Sequence, residues 1–177
     1  MPDTTPSRPV WPDAIFAHLQ RVQVRQVGYV PDAGHAQLIE RCIDDPDIAD
    51  VVLTTEEEGV ALTVGAALGG QRAALLMQSS GVGNCVNMFS IVHGFGVPCL
   101  LFVTMRGEAG EFNSWQVPMG AITEDVLRQC GFRTFRVETP ETVDAIVGTA
   151  CDIAFNEQAP VAVVLSQQLI GHKRWTR

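Results

Sequence analysis

Apolar residues along the chain follow two alternating patterns, one with helical spacing and one of short continuous runs. The helical spacing predicts helices over residues 11–25, 36–43, 56–68, 85–95, 122–130 and 139–155. The short runs predict strands over residues 27–30, 50–53, 73–77, 97–104, 132–137 and 161–165. The run at 97–104 is almost unbroken, which indicates a central strand that is buried on both faces of a sheet.

Six strands that alternate with helices favour parallel pairing with right-handed crossovers. The expected fold class is α/β, a doubly wound, mainly parallel six-stranded sheet with helices on both faces. In such sheets ligands bind at the carboxyl ends of the strands. Four segments that follow a predicted strand form one candidate rim: residues 31–35, 54–58, 78–84 and 104–116. The long polar stretch at 106–118 is typical of functional or mobile loops.

Composition and charge narrow the class of function. Of the 177 residues, 46% are hydrophobic and 18% are charged, which is enough apolar material for a core. We predict one domain over residues 11–170, with a flexible N-terminal tail at 1–10 and a C-terminal tail at 171–177. Twelve Lys and Arg against 20 Asp and Glu give a net charge of −8, which disfavours nucleic acid and anionic membranes as partners.

The cysteines, the histidines and the N-terminus point to a cytoplasmic protein without a metal site of its own. The five cysteines are odd in number and scattered, with no C-x-x-C pair, so we predict reduced core thiols. The N-terminus lacks the order of a signal peptide, and no apolar run reaches the roughly 18 residues that span a membrane. His18, His93 and His172 have no metal-ligand spacing, and no metal-ligating residue is expected on this chain.

Three consecutive glutamates, Glu56 to Glu58, open a helix that is otherwise almost entirely small or apolar. A solvated acidic turn that complements the helix dipole is the ordinary interpretation. An enclosed helix changes this, because successive side chains point about 100° apart and cannot all face solvent equally. At least one carboxylate is therefore expected to point into the rim, where it can act as an acid, a base or a hydrogen-bond acceptor.

Residues 78–84, Gln-Ser-Ser-Gly-Val-Gly-Asn, are predicted to form a polar turn between a strand and a helix. Such a turn can cradle a polar ligand, and a tight turn with helix-capping serines is an equally good interpretation. The segment lacks the G-K-[ST] of a Walker loop, the third glycine of a dinucleotide fingerprint and the first glycine of a nucleophile elbow.

The other rim segments also allow two interpretations. Asp32 and His35 suit a proton-handling pair if both face the rim, and otherwise a turn and a helix cap. Ordinary surface charge is the stronger interpretation for the polar residues of the long loop, Arg106, Glu108, Glu111 and Gln116.

Several motifs then occur in a fixed order: Glu-Glu-Glu-Gly at 56–59 with Gly65 following, Met-Gln-Ser-Ser-Gly-Val-Gly-Asn at 77–84, and Arg-Gly-Glu at 106–108 with Gln-Val-Pro-Met-Gly at 116–120. In this order the chain resembles the alpha subunits of two-subunit sulfopyruvate and phosphonopyruvate decarboxylases, the pyrimidine-binding (PYR) half of thiamine diphosphate enzymes. The resemblance covers essentially the whole chain. It implies a PYR-type domain in a carboxy-lyase that acts on a small pyruvate with an anionic substituent.

The resemblance also implies roles for the rim residues. In thiamine diphosphate enzymes a glutamate nine residues before a glycine of the same helix hydrogen-bonds N1′ of the aminopyrimidine, and Glu56 precedes Gly65 by that interval. A buried carboxylate that shares a proton with N1′ activates the cofactor, which selects Glu56 over Glu57 and Glu58. The implied cofactor-binding residues are Glu56, Gln78, Ser79, Ser80, Gly81, Gly83, Asn84 and Gln116. The implied catalytic residues are Glu56, Asp32 and His35, and the implied substrate contacts are Asp32 and Arg106.

Some features depart from the family pattern. Four rim positions differ from those of many relatives, which bears on the substrate more than on the cofactor: Ala33, His35, Ser79 and Val117. Thiamine diphosphate enzymes hold the diphosphate through Mg²⁺ with a G-D-G…N-N motif on a second domain, and neither element occurs in this sequence. The resemblance therefore implies a beta subunit that carries the motif and holds Mg²⁺, in a hetero-oligomer whose active site lies at the interface. A carboligase subunit with the same cofactor and a non-catalytic α/β ligand-binding or regulatory module stay open as alternatives.

Overall fold

The computed structural model describes residues 10–171, and within this range one parallel sheet lies between two layers of helices. The strands are β1 (Val24–Tyr29), β2 (Ala49–Val52), β3 (Arg72–Gln78), β4 (Cys99–Thr104), β5 (Arg133–Val137) and β6 (Pro160–Leu165). The helices are α1 (Trp11–Arg21), α2 (Ala36–Asp44), α3 (Glu56–Leu68), α4 (Ser79–Cys85), α5 (Phe89–Phe95), α6 (Val117–Gln129), α7 (Pro140–Asn156) and α8 (Gln167–Ile170). Apart from residues 10 and 171, the two predicted tails lie outside the described residues.

The strand order is β2-β1-β3-β4-β6-β5, and each neighbouring pair is parallel. The doubly wound α/β fold is therefore confirmed. The apolar run that predicts a central strand forms β4, whose residues are all buried between β3 and β6. A strand that is covered on both faces has no polar face to alternate with, which explains its continuous hydrophobicity.

Each face of the sheet has its own core. On one face, α1, α2 and α7 pack through residues such as Ile15, Leu38 and Val147. On the other face, α3, α4, α5 and α6 pack through residues such as Val60 and Phe89. We call these the α1 layer and the α3 layer. Within residues 10–171, no helix combines the length and the hydrophobicity that crossing a bilayer requires.

The structure corrects several predicted boundaries. The predicted turn at 78–84 is wrong, because β3 ends at Gln78 and α4 begins at the next residue. The single helix predicted over 85–95 is interrupted, because Cys85 ends α4 and the next helix, α5, begins only at Phe89. The loop predicted up to residue 118 ends earlier, since α6 starts at Val117 with Pro118 in its first turn, where a proline costs no backbone hydrogen bond.

Two further boundaries differ at the ends of the chain. The first helix ends at Arg21 rather than near residue 25, because Gln23 adopts a left-handed conformation with φ of 55° and the chain turns into β1. The short helix α8 follows β6 directly and is absent from the predicted elements. It matters for the site, because it brings residues after the last strand to the same rim.

Candidate functional site

The site lies where β1 and β3 end side by side. The chain leaves β1 toward β2 on one side and later returns as β3 on the other side, so the connections diverge and leave a crevice at the carboxyl ends. Asp32 follows β1, Gln78 is the last residue of β3, and Thr104 is the last residue of β4. The N-terminus of α3, with Glu56, opens at the same rim.

Glu56 is enclosed between the first turns of α3 and α4. Only 9% of its surface is exposed, and its Oε2 accepts a hydrogen bond of 2.8 Å from Nδ2 of Asn84. A Cβ atom on Gly81 would lie 2.4 Å from Cγ of Glu56, so only glycine allows this close packing. The carboxylate of Glu58 instead accepts a hydrogen bond of 2.8 Å from the backbone N–H of Thr54 and caps the helix. The side chain of Glu56 thus packs against α4, while that of Glu58 caps the N-terminus of α3.

Asp32 is held by three donors from different parts of the chain. Its Oδ2 accepts hydrogen bonds from Oγ1 of Thr104 at 2.8 Å and from the backbone N–H of Gly34 at 3.0 Å. Its Oδ1 accepts a hydrogen bond of 3.2 Å from Nε2 of Gln78. Asp32 is only an acceptor in these contacts, and together they fix the orientation of its carboxylate.

Gln78 links Asp32 to the other polar residues of the rim. Its Oε1 accepts hydrogen bonds of 2.9 Å from Oγ of Ser80 and from Nε2 of Gln116. The amide oxygen of Gln116 is buried and has no hydrogen-bond partner among the described residues. Oγ of Ser79 accepts a hydrogen bond of 3.0 Å from the backbone N–H of Arg106, which ties the loop after β4 to the start of α4.

Arg106 and Glu111 form a bidentate ion pair inside the loop after β4. Nε and Nη2 of Arg106 donate to the two oxygens of Glu111 at 2.6 and 2.7 Å, and the Glu111 side chain is only 1% exposed. These hydrogen bonds, helped by the backbone N–H groups of Asn113 and Gly107, hold the pKa of Glu111 well below its usual range. The interpretation of both residues as surface charges is wrong, because the loop folds back on itself and buries the pair.

Close backbone contacts fix the position of that loop. Gly107 has a φ of 78°, and a Cβ there would lie 2.4 Å from the carbonyl oxygen of Gln116. A Cβ on Gly120 would lie 2.1 Å from the carbonyl oxygen of Arg106. Side chains at either position would separate the loop from the start of α6.

A cavity of about 110 Å³ opens between the segments that follow β1, β4 and β6. Its walls combine one carboxylate and one guanidinium with polar and apolar groups, from Asp32, Ala33, Gly34, Arg106, Phe112, Gln167, Ile170 and Gly171. The structure therefore brings the two predicted substrate contacts, Asp32 and Arg106, to one cavity.

His35 occupies a different position from its predicted partner. Its ring is buried, and Nε2 lies 3.2 Å from the carbonyl oxygen of Met77 and 3.1 Å from that of Phe102. Burial lowers the pKa of His35, which favours a neutral ring that donates from Nε2 to the strands. Asp32 lines the cavity, whereas His35 is bonded to the ends of β3 and β4, so this placement favours a structural role for the histidine.

The remaining predicted residues lie on α4 with different exposure. Ser79 and Gly81 are buried and Ser80 is half-buried, whereas Gly83 and Asn84 are exposed, although the amide of Asn84 reaches Glu56. Among the described residues, no group of three or more His, Cys, Asp or Glu side chains is arranged to hold a metal ion.

Sequence analysis overlooked Thr104, Gln167 and the role of Glu111. Gln167 donates from Nε2 to Glu111 at 3.1 Å and accepts the backbone N–H of Glu108 at 3.0 Å. The rule that ligands bind at the carboxyl ends of strands also applies to the last strand, and would have selected Gln167. No local signal identifies Glu111, because the burial of its carboxylate depends on how the loop folds back onto Arg106 and on Gln167 from another segment.

Comparison with known proteins gives a consistent set of relatives, although no model of a known protein family matches the chain. The sulfopyruvate decarboxylase alpha subunit of Methanococcus maripaludis is 34% identical over 163 residues, which cover 92% of this chain and 98% of that subunit. The alpha subunit from Methanothermobacter thermautotrophicus is 35% identical over 156 residues, which cover 86% and 93% of the two chains. Phosphonopyruvate decarboxylase of Streptomyces viridochromogenes is 32% identical over 162 residues, which cover 89% of this chain but 40% of that enzyme.

A solved structure shares the fold at low sequence identity. The 2-oxoglutarate:ferredoxin oxidoreductase of Magnetococcus marinus, solved with 2-oxoglutarate, coenzyme A and succinyl-CoA bound, matches with a TM-score of 0.69 at 14% identity. The match covers 93% of this chain and 33% of the longer chain. It supports the same strand and helix arrangement across nearly the whole chain.

Proposed function

The chain belongs to the family of sulfopyruvate decarboxylase alpha subunits, and we propose that it works as one half of a thiamine diphosphate-dependent carboxy-lyase. This is the family that the sequence motifs indicate. The proposed reaction is loss of CO₂ from a small 2-oxo acid with an anionic substituent. Sulfopyruvate and phosphonopyruvate, which appear in the names of the relatives, are the candidate substrates.

The observation that carries the proposal is the environment of Glu56. Its carboxylate is nearly enclosed, and Asn84 holds one oxygen, Oε2, by a hydrogen bond. The other oxygen, Oε1, has no hydrogen-bond partner among residues 10–171. A carboxylate held in this way can share a proton with a ring nitrogen of a ligand that covers its free oxygen and displaces water from it.

The polar groups of the rim fit an aminopyrimidine. Oε1 of Glu56 is an acceptor for a protonated ring nitrogen, and the unpartnered, buried Oε1 of Gln116 is an acceptor for an amino group. The residues that would hold the cofactor are those of the predicted set, Glu56, Gln78, Ser79, Ser80, Gly81, Gly83, Asn84 and Gln116. When bound, thiamine diphosphate supplies the carbon nucleophile and the electron sink for loss of CO₂.

Asp32 is the proposed proton-handling residue at the substrate. It lines the cavity, and its three hydrogen bonds keep the carboxylate in one orientation. Arg106, on another wall of the same cavity, is the proposed contact for the anionic substituent. His35 supports this arrangement from the interior by joining the ends of β3 and β4.

A beta subunit is the proposed partner, in a hetero-oligomer. The relatives are named as alpha subunits, and the Streptomyces enzyme contains a long segment beyond the part that this chain matches. We assign the diphosphate and Mg²⁺ to the beta subunit, because the G-D-G…N-N motif does not occur in this sequence. The exposed apolar residues of the α3 layer, such as Leu68, Val86 and Phe95, suit a surface that another subunit covers.

The cysteines support the proposed cytoplasmic location. All five are free, and burial raises the pKa of Cys42, Cys99 and Cys151 to about 12. Thiols that stay protonated and enclosed are structural residues, and a reducing compartment preserves them.

Substitution of Glu56 tests the proposal in the assembled complex. Glu56→Gln should lower the rate of CO₂ release from sulfopyruvate, phosphonopyruvate and pyruvate by about 100-fold or more, because the amide cannot exchange a proton with the ring nitrogen. Glu57→Gln is the matched control, since it removes the same charge from the same helical turn and should retain activity. Both variants should still assemble with the beta subunit, as measured by size-exclusion chromatography.

Two results would decide against this function. Near wild-type turnover by Glu56→Gln would remove the proposed role of the carboxylate. Product formation that requires an added aldehyde, without CO₂ release to an aldehyde product in its absence, would favour the carboligase alternative.

A further inference from the structure

The cavity beside Asp32 is built by a network that joins two segments far apart in the chain. The loop after β4 contributes Arg106 and Phe112, and the start of α8 contributes Gln167. Glu111 does not line this cavity, yet it bonds to both Arg106 and Gln167. It is therefore the residue that connects the two walls.

Glu111 holds the Arg106 guanidinium in a fixed orientation. Nε and Nη2 of Arg106 are both bonded to Glu111, and the ring of Phe112 lies 5.5 Å from the guanidinium carbon. The remaining terminal nitrogen, Nη1, makes no hydrogen bond within residues 10–171. Because the guanidinium is planar, fixing two of its nitrogens also fixes the direction of the third.

Glu111 is itself immobilised. Besides Arg106, it accepts hydrogen bonds from the backbone N–H groups of Gly107 at 3.2 Å and Asn113 at 2.9 Å, and from Nε2 of Gln167 at 3.1 Å. A counter-ion that only neutralised Arg106 would not need this number of donors. The hydrogen bonds instead fix the orientation of Glu111, and Glu111 in turn fixes the orientation of the guanidinium.

The charges around the cavity make the orientation of the Arg106 guanidinium important for binding an anionic substituent. Asp32 lines the cavity and Glu111 stands behind Arg106, so these three groups together carry a net charge of −1. Net charge therefore cannot attract an anionic substituent to this position. A directed, charge-assisted hydrogen bond from a fixed guanidinium can still select it.

We propose that Glu111 is a positioning residue for substrate selectivity: it holds Nε and Nη2 of Arg106 so that Nη1 is left to bind the sulfonate or phosphonate of the substrate. The inference rests on the proposed function, because it names the part of the site that distinguishes an anionic substituent from a methyl group. It assigns to Glu111 no contact with the substrate itself.

The test compares two substrates in the complex with the beta subunit. Glu111→Gln should raise KM for sulfopyruvate relative to KM for pyruvate by about 10-fold to 100-fold, since the amide breaks the bidentate pair and releases Arg106. The kcat values for pyruvate should stay near those of the wild type. Glu138→Gln is the matched control, because Glu138 also pairs with an arginine, Arg136, but does not line this cavity. It should leave the KM ratio unchanged.

Two further measurements separate positioning from a structural effect. Inhibition by sulfoacetate should weaken in Glu111→Gln, while the weaker inhibition by acetate should not change. Glu111→Asp, which retains the carboxylate, should recover part of the KM ratio. If Glu111→Gln does not fold, Arg106→Lys keeps the charge, loses the bidentate geometry and should raise the same ratio.

Each other outcome contradicts the inference. An equal rise in KM, or an equal fall in kcat, for sulfopyruvate and pyruvate would show that Glu111 only maintains the structure of the loop. Tighter binding of sulfopyruvate by Glu111→Gln would show that Glu111 only masks the charge of Arg106. An unchanged KM ratio in an active Glu111→Gln complex would overturn this inference alone, whereas a wild-type complex that decarboxylates none of these acids would overturn the proposed function.

Discussion

The two layers of helices that enclose the sheet present different outer surfaces. The α1 layer is linked by polar pairs between helices, the ion pairs Arg21–Asp152 and Arg41–Asp13 and the hydrogen-bonded pair His18–Asp144. In the α3 layer, charged side chains are confined to the start of α3 and to α6, where Arg128 pairs with Glu124 and Asp125, and the sequence has no Asp, Glu, Lys or Arg over residues 59–70 or 79–97. The first surface is adapted to water, and the second contains the proposed cofactor-binding residues and exposes apolar side chains.

This difference separates what folds the chain from what makes it work. Both layers bury an apolar core of similar kind, so both stabilise the sheet. The exposed apolar side chains of the α3 layer, however, stabilise the isolated chain less than buried ones would, because much of their surface stays in water. Their presence on the layer that carries Glu56 indicates that this layer is shaped for an additional contact. The predictions that follow test whether function is confined to it.

The largest effect is expected at Gly81, in the α3 layer. Gly81→Ala should lower kcat/KM of the assembled complex by about 100-fold, comparable to losing the proton-transfer group, because the new Cβ displaces the Glu56 side chain. The fold should persist, since the atoms that must move belong to one flexible side chain. Steady-state kinetics and circular dichroism provide the measurement. Gly94→Ala is the control, since a Cβ there meets nothing within 4 Å, and wild-type-like activity of Gly81→Ala would contradict the prediction.

A matched pair of alanines tests the outer surfaces directly. Ala61 on α3 and Ala145 on α7 are both exposed on helices of opposite layers. Ala61→Arg should weaken binding to the beta subunit by about 10-fold or more, a cost of about 1.4 kcal/mol, because a charged side chain enters an apolar contact. Ala145→Arg should leave the affinity unchanged, as measured by titration of the two subunits. Equal affinities for both variants would show that the α3 layer is not the contact surface.

The pH dependence of stability tests His35, at the end of the sheet between the layers. Burial lowers the pKa of folded His35 below its ordinary value of 6.5, so below that pH the unfolded chain binds more protons. Stability from the neutral ring is therefore complete above about pH 6.5 and is lost as the pH falls, by up to about 1.4 kcal/mol per pH unit. Urea unfolding between pH 5 and 8 should show this slope in the wild type and a flatter one in His35→Gln. If the free energy of unfolding changes with pH equally in the wild type and in His35→Gln, a buried neutral histidine is ruled out.

The smallest effect is expected in the α1 layer. Asp152→Ala removes the pair with Arg21, in which the two side chains are 51% and 46% exposed. Exposed pairs of this kind contribute about 0.2–1 kcal/mol, so the free energy of unfolding should fall by no more than that. Activity and assembly should not change. A measurable loss of turnover in this variant would contradict the separation of the two layers.

Much of the fold follows from the sequence because apolar periodicity is local. The predicted bounds of α3 match the structure, and the continuous run at 97–104 contains the central strand β4. Boundaries fail where glycine or proline has two possible roles. The two glycines of residues 78–84 favour a turn, yet residues 79–85 form α4, in which Gly81 packs against Glu56.

The candidate site was predictable where its residues directly follow strands. The rim rule and the motifs select Asp32, Glu56 and Gln78, and the structure places all of them at one end of the sheet. The motifs also selected Arg106, but the interpretation of Arg106 and Glu111 as ordinary surface charges was wrong, since burial of a charged pair depends on how a loop folds back. Sequence analysis also paired Asp32 with His35, which the structure directs to different surroundings.

The sequence by itself determined the alternation of strands and helices, the spacing from Glu56 to Gly65 and the family to which the chain belongs. These depend on neighbours within a few residues or on motifs that can be read in order. Only the tertiary structure decided which charges are buried and which partners they have, such as Gln167 with Glu111, 56 residues apart in the chain. The physical reason is that a polar side chain must find its hydrogen-bond partners in space, and folding can supply them from any segment of the chain.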